Sequence, residues 1–183
     1  MTRNSSRRRA PRPLDEEALE ALALHYVGRY ATSRAKLLRY LSRKIAERGW
    51  AGARPADADR IADRFVELGY VDDAAFAASR ARSLASRGYG KRRLDQQLYA
   101  DGIADEQAGE ARRIAEQHSV EAALHFARRK RVGPYASERP DPARREKAIA
   151  SMLRAGHPFA LVRAIVDLAP GEEPDHERLA EAI

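Results

Sequence analysis

The sequence predicts an all-α protein, built as an elongated array of three tandem three-helix repeats. Three observations support this fold class. Ala, Arg, Leu and Glu are abundant among the 183 residues, and all four favour helix. Apolar residues recur at helical spacing along the chain, and no run of alternating β-branched residues predicts a strand. Aromatic residues make up only 7%, so the core must consist mainly of Ala, Leu, Val and Ile.

The first predicted group of helices occupies roughly the opening third of the chain. Asp15 and Ser33 are cap-forming residues, and each stands just before a stretch with one apolar face. The glycine- and proline-containing stretch at 49–55 ends the second of these helices. A third helix is predicted from about Asp57 to Leu68.

The second predicted group begins at Asp72 or Asp73, either of which can cap a helix whose first large apolar anchor is Phe76. The Gly-Tyr-Gly turn at 88–90 ends that helix. Two more helices are predicted, over residues 91–100 and 105–117.

The third predicted group starts at Ser119 and contains a loop over residues 132–140. Asp141 followed by a proline is a typical pair of cap and first helical residue. Gly156 ends that helix, and Pro158 opens the last one. The acidic tail beyond residue 169 is either loosely held or forms a short helix near His176.

The three groups also resemble one another in sequence. Their register pairs Leu37 and Leu41 with Leu94 and Leu98, Ser33 with Gly90, and Leu98 and Gly102 with Met152 and Gly156. A period of about 50–60 residues with three helices per unit is typical of helical repeat proteins. The predicted segments are a disordered basic arm at 1–13, repeats at 14–70, 71–118 and 119–169, and an acidic tail at 170–183.

Composition excludes several classes of protein. There are no cysteines, which removes disulfides, thiol catalysis and Cys-based zinc sites. The five histidines show no metal-ligand spacing, and there is no glycine-rich phosphate loop, so we expect neither an enzyme nor a metal or cofactor site. The opening residues lack the apolar segment of a secretory signal, and no stretch reaches the ~20 apolar residues of a membrane span. We therefore expect a cytoplasmic monomer without membrane contact.

The net charge of +7 points to nucleic acid, or to a partner bound to it. Its main source in the predicted fold is a segment between Ser79 and Arg93 that contains no acidic residue. The cations of this segment are Arg80, Arg82, Arg87, Lys91, Arg92 and Arg93. Six positive charges without an acid in the segment favour a binding role over a solvated face.

A second basic run ends a predicted helix. It consists of Arg128, Arg129, Lys130 and Arg131. The helix dipole favours cations at this end by about 0.3–1 kcal/mol, which accounts for one or two of the four without any ligand. The basic residues of the first group, from Arg34 to Lys44, are diluted by Glu47 and Asp57 and give a weaker signal.

The stretch GYVDDAAFA, from Gly69 to Ala77, joins the first group to the second. Gly69 fits the left-handed end of a helix, Tyr70 follows as an apolar residue of the connection, and Asp72 or Asp73 caps the next helix. Read physically, it is a helix–helix corner. The adjacent aspartates have no partner at ligand spacing that would make them metal ligands.

The same stretch resembles the signature of the RecX family, the regulators of the RecA recombinase. The resemblance includes Arg80 and Arg82, the turn at Gly88, and the helix that leads to Gly102-Ile103; more loosely, it covers residues 15–168. The first unit departs by an extra segment near Trp50, and the third unit fits less well.

The resemblance implies three tandem three-helix repeats without catalytic residues. It further implies a regulator that binds RecA filaments on single-stranded DNA and modulates ATP hydrolysis, strand exchange and filament growth, mostly by inhibition. The six cations between Arg80 and Arg93 would make the contacts, and any binding to single-stranded DNA would be weak or filament-dependent. Two alternatives remain open: a stand-alone DNA-binding protein of the helix-turn-helix kind, and a structural adaptor that binds acidic proteins.

Overall fold

We describe residues 12–183 from a computed structural model. These residues form ten α-helices and one 3₁₀ turn, Gly133–Tyr135. The helices are α1 Glu16–Arg29, α2 Arg34–Arg48, α3 Ala58–Glu67, α4 Asp73–Ser86, α5 Lys91–Asp101, α6 Asp105–Gln117, α7 Ser119–Lys130, α8 Pro142–Arg154, α9 Phe159–Val166 and α10 His176–Ala180. Within this range no strand forms beyond one isolated bridge between Leu14 and Trp50. The all-α prediction is confirmed, and most of the predicted basic arm lies outside the described residues.

The helices begin where the cap residues predict. The side chains of Asp15, Ser33 and Asp141 each accept a hydrogen bond from the backbone N–H three residues ahead, at 2.9, 3.2 and 2.8 Å. Asp57 caps α3 in the same way. An N-cap of this kind stabilises a helix by about 1 kcal/mol, because it satisfies a backbone donor that otherwise has no partner in the helix.

The chain divides into two compact units, one ending at Asp72 and the other beginning at Asp73. In the first unit, α1, α2 and α3 enclose one core that includes Leu19, Leu37, Leu41 and Ile61. In the second unit, α4–α6 form one core cluster, and α7–α9 form another with Leu179 of α10. The short helix weighed for the acidic tail therefore forms and buries one leucine.

The large apolar side chains that the sequence register pairs are buried. Leu37 and Leu41 in α2 are fully buried, as is Met152 in α8, and Leu94 and Leu98 in α5 are nearly so. The boundaries of the three repeats stay a prediction. In the described part of the chain, no helix combines the length and the apolar character needed to cross a membrane.

Candidate binding surface of the second unit

The glycine of the signature ends α3 in the predicted way. Gly69 has φ +74°, in the left-handed region that residues with a Cβ avoid. The Gly69 N–H donates to the Val66 carbonyl, and the Tyr70 N–H donates to the Phe65 carbonyl, both at 2.9 Å. This pair of bonds is the Schellman motif, and the Tyr70 ring packs on Phe65 with centroids 5.5 Å apart.

The aspartates of the signature lie at the start of α4. That helix begins at Asp73, so Asp72 occupies the position just before it. Phe76 is 7% exposed and belongs to the core cluster of α4–α6, as predicted for the first anchor of this helix. In the described residues, no group of His, Asp or Glu side chains is arranged to hold a metal ion.

The turn between α4 and α5 packs against the turn between α8 and α9. The Gly90 N–H donates to the Ala155 carbonyl at 2.9 Å, and the Arg92 N–H donates to the Gly156 carbonyl at 3.2 Å. A Cβ on Gly90 would lie less than 3.0 Å from the Gly156 carbonyl oxygen. The two turns therefore meet backbone to backbone, which orients the first turn of α5.

A buried histidine completes this junction. His157 is 3% exposed, and its Nε2 lies 3.2 Å from the carbonyl oxygen of Gly88. A carbonyl only accepts hydrogen bonds, so Nε2 carries the proton. Burial lowers the pKa of His157 to about 4, because the charged imidazolium loses its hydration, and the bond to Gly88 only partly opposes this shift.

Tyr89 brings the two predicted basic runs together. Its half-buried ring packs against both core clusters of the second unit. The guanidinium of Arg87 lies 5.5 Å from the ring centroid, and that of Arg129 lies 5.9 Å from it. Arg129 also donates to the Arg87 carbonyl at 3.0 Å. The primary run, from Arg80 to Arg93, and the secondary run, from Arg128 to Arg131, are separate in sequence. They are thus neighbours at one aromatic ring.

Two of the six primary cations are neutralised within the fold. Arg80 is about one third exposed, lies over the Phe76 ring and faces Asp101 at 3.5 Å. Lys91 pairs with Glu116 at 2.7 Å. The inference that the segment has no compensating acid is therefore wrong for Arg80 and Lys91. The paired acids are Asp101 at the end of α5 and Glu116 near the end of α6. The sequence around Arg80 and Lys91 does not predict that these carboxylates lie beside them.

The other four primary cations are exposed: Arg82, Arg87, Arg92 and Arg93. None of them forms an ion pair with another described residue. Arg92 and Arg93 line a cavity of about 400 Å³ together with Gln96 and Arg154. Sequence reasoning missed Arg154, because it lies on α8 and only the packing of the turn at Gly156 against α5 brings it here.

The secondary basic run ends α7, where cations are favoured by the helix dipole. Arg128 lies over the Tyr135 ring at 5.0 Å, and Arg129 lies over Phe126 at 5.4 Å. Lys130 and Arg131 border a different cavity. The residues of the secondary run therefore point to different parts of the surface. Arg129 is the member that lies beside the primary run, through its contacts with Arg87 and Tyr89.

The basic residues of the first unit are largely paired, in agreement with their weaker signal. Arg34 donates to Asp63 at 2.6 Å and to Asp59 at 2.9 Å, and these bonds raise its pKa. The same contact lowers the pKa of Asp63. Glu47 accepts from Lys44 at 2.6 Å.

Comparison with known proteins agrees with this architecture. The profile described as "RecX, second three-helix domain" matches residues 72–111, which include α4, α5 and the turn between them. Two solved structures share the fold: a RecX from Lactobacillus salivarius (TM-score 0.59, 18% identity, covering 82% of this chain and 93% of that one) and another regulatory protein RecX (TM-score 0.58, 19% identity, covering 82% and 72%).

Sequence relatives extend over most of the chain. The regulatory protein RecX of Myxococcus xanthus is 32% identical over 173 residues, covering 87% of this chain and 90% of that protein. The regulatory protein RecX of Agrobacterium fabrum is 31% identical over 125 residues, covering 66% and 67%. On this similarity, together with the matched second three-helix domain, the chain belongs to the RecX family of regulatory proteins.

Proposed function

We propose that this protein binds RecA filaments on single-stranded DNA and modulates the recombinase, chiefly by restraining its ATP hydrolysis, strand exchange and filament growth. The observation that supports this proposal is the group of exposed, unpaired cations around the α4–α5 turn of the described chain: Arg82, Arg87, Arg92 and Arg93. Membership of a family of regulatory proteins directs the choice of partner. We propose that the protein acts by binding, as a cytoplasmic monomer, and not by catalysis.

The proposed contact surface differs in detail from the six predicted cations. Arg87, Arg92 and Arg93 are its centre, because they are exposed and have no ion-pair partner in the described residues. Arg80 and Lys91 contribute less, since each already faces a carboxylate. Arg129 adds to the surface through its contact with the Arg87 carbonyl.

Backbone hydrogen bonds between two turns fix the orientation of this surface. Gly90 and Arg92 both bond to the turn at residues 155–156, so the first turn of α5 is held by tertiary contacts as well as by its own helix. A preorganised array of guanidinium groups binds acidic protein or phosphate with a smaller loss of conformational entropy than a flexible one.

The test is direct. Purified protein is added to RecA on single-stranded DNA, and ATP hydrolysis, strand exchange and filament length by electron microscopy are followed. We expect the protein to bind the filament and to slow hydrolysis at substoichiometric to equimolar ratios. The proposal would be refuted if a several-fold excess of the protein over RecA neither bound the filament nor changed the rate of ATP hydrolysis.

A second candidate is a DNA-binding protein that acts without a recombinase. The observation in its favour is that Arg92 and Arg93 are exposed in the first turn of α5, directly after a tight turn, as in a recognition helix. Binding to duplex DNA with clear sequence preference, in the absence of RecA, distinguishes this candidate from the first.

A further inference from the structure

One face of α5 combines charge, an amide and an aromatic ring. Arg92, Gln96 and Tyr99 follow one another at i, i+4 and i+7, so they lie within about one sixth of the helix circumference. All three are exposed. Tyr99 is 88% exposed, far more than any other large apolar or aromatic side chain of the described residues.

The end of this face that lies nearer Arg92 opens into the cavity shared with α8. Its wall contains the guanidinium-bearing residues Arg92, Arg93 and Arg154 and no acidic residue. None of these three arginines forms an ion pair within residues 12–183. The nearest carboxylate on the same helix face, that of Asp95, is occupied by Arg112 at 2.9 Å. The cavity therefore has the charge of a site for an anionic group.

The other end of this α5 face carries the ring of Tyr99, and both faces of that ring are accessible. No described residue stacks on Tyr99, whereas Tyr89 is covered by two guanidinium groups. Exposed aromatic rings beside cationic grooves are the common platform for single-stranded nucleic acid, because every base has a face that can stack.

We propose that this face is a subsite for single-stranded DNA: a backbone phosphate lies in the cavity of Arg92, Arg93 and Arg154, and a base stacks on Tyr99. The α5 rise of 1.5 Å per residue separates Arg92 and Tyr99 by about 10 Å, which one or two nucleotides of an extended strand span. Gln96, between them, offers a donor and an acceptor to a base edge. This inference rests on the proposed function, since that DNA is the strand held in the filament.

The ring decides between DNA and an acidic peptide as the occupant. The carboxylates of an acidic peptide would be bound by the three arginines alone and would make no use of an aromatic ring about two helical turns further along α5. Single-stranded DNA uses both, so the joint requirement for Tyr99 and Arg154 is the property to test.

The experiment measures binding of the full chain to a fluorescein-labelled oligothymidylate of about 20 nucleotides, by fluorescence anisotropy without RecA. We expect Tyr99→Leu to weaken binding roughly 5- to 100-fold and Tyr99→Phe to bind nearly as tightly as the unchanged protein, because stacking on an aromatic ring is lost only in the first. Arg154→Gln should lower the slope of log K against log salt by about 0.7.

Matched controls use exposed residues on a different helix that do not line the cavity. Phe159→Leu removes another exposed ring, and Arg163→Gln removes another exposed charge, both on α9. Neither should alter the affinity by more than about twofold. Circular dichroism of every variant verifies the fold.

Three results would overturn the inference: no binding of the oligothymidylate at low salt, equal affinities for Tyr99→Leu and the unchanged protein, or displacement of the DNA by polyglutamate at the same charge concentration. A protein that binds the oligothymidylate through Tyr99 but leaves RecA filaments untouched would refute the proposed function and support the subsite. Filament binding that survives Tyr99→Leu while free DNA binding is lost would support the proposed function but overturn the inference that this subsite holds the strand of the filament.

Discussion

The Nε2 atom of His157 lies 3.2 Å from the carbonyl oxygen of Gly88, a residue 69 positions earlier in the chain. The bond joins the α8–α9 turn to the glycine of the α4–α5 turn, beside the exposed arginines. Burial of the imidazole makes this link depend on pH, since the neutral ring is the form that fits the site.

Acidification should therefore weaken the second unit through His157. Its pKa is about 4 in the folded protein and 6.5 when unfolded, so between these values the unfolded chain binds a proton that the folded chain does not. The contribution is complete above pH 6.5 and falls by about 3 kcal/mol as the pH drops to 4. Urea unfolding of the wild type and of His157→Gln at pH 7, 5.5 and 4.5 measures it.

We expect the stability difference between these two proteins to shrink steadily towards pH 4. A difference for His157→Gln that does not change with pH would contradict the assignment.

The contact between the two turns predicts intolerance of a single methyl group. Gly156 has φ +96°, and a Cβ there would lie less than 3.0 Å from the Arg93 nitrogen, so Gly156→Ala combines backbone strain with a backbone clash. We expect a loss of about 2–4 kcal/mol, measured by chemical unfolding. Gly109→Ala, in α6, is the matched control, because a Cβ at that position would have no neighbouring atom within 4 Å. It should stabilise the protein by about 0.5–1 kcal/mol.

Charge reversal tests the proposed filament surface. The triple change Arg87→Glu, Arg92→Glu and Arg93→Glu should abolish binding to RecA filaments, because it replaces the exposed unpaired cations of the turn with anions. Thermal stability should change little, since exposed charges contribute under about 1 kcal/mol each. Filament pull-down and thermal unfolding are the two measurements.

The control for that triple change has the same total charge but lies in the first unit: Arg29→Glu, Arg54→Glu and Arg64→Glu, all exposed. It should retain most of the filament affinity. Equal losses from the two triple variants would show a general effect of net charge and contradict a local surface.

Tyr89 should matter for both fold and binding. Tyr89→Leu keeps an apolar side chain between the two core clusters but removes the ring that Arg87 and Arg129 cover. We expect a loss of about 1 kcal/mol in stability and a weaker filament affinity, because the two arginines lose their shared support. Tyr89→Phe should behave like the wild type in thermal unfolding and filament binding; if it fails as Leu does, the phenolic hydroxyl is the important group.

Much of the fold could be predicted because its signals act over three or four residues. Asp15, Ser33 and Asp141 bond to backbone N–H groups three positions ahead, and Gly69 allows the local left-handed turn that ends α3. The apolar stripes of α2 and α5 likewise follow from helical spacing alone. Local geometry of this kind is the same wherever the helix lies in the protein.

The candidate surface depended on residues far apart in sequence. Lys91 and Glu116, 25 residues apart, pair across two helices, so the primary run carries less free charge than its sequence indicates. Arg154 joins Arg92 only because the Gly90 and Gly156 turns touch. No periodicity within either segment predicts that contact.

By itself, the sequence determined the all-α class, the positions of the helix caps, the family signature and the excess of basic residues in the second unit. Only the tertiary structure decided which of those cations remain exposed and unpaired among the described residues, that Tyr89 brings the two basic runs together, and that Tyr99 stands free beside a cationic cavity. The physical reason is range: caps and helical periodicity are short-range properties of the chain. Charge pairing and pocket formation depend on which helices pack together.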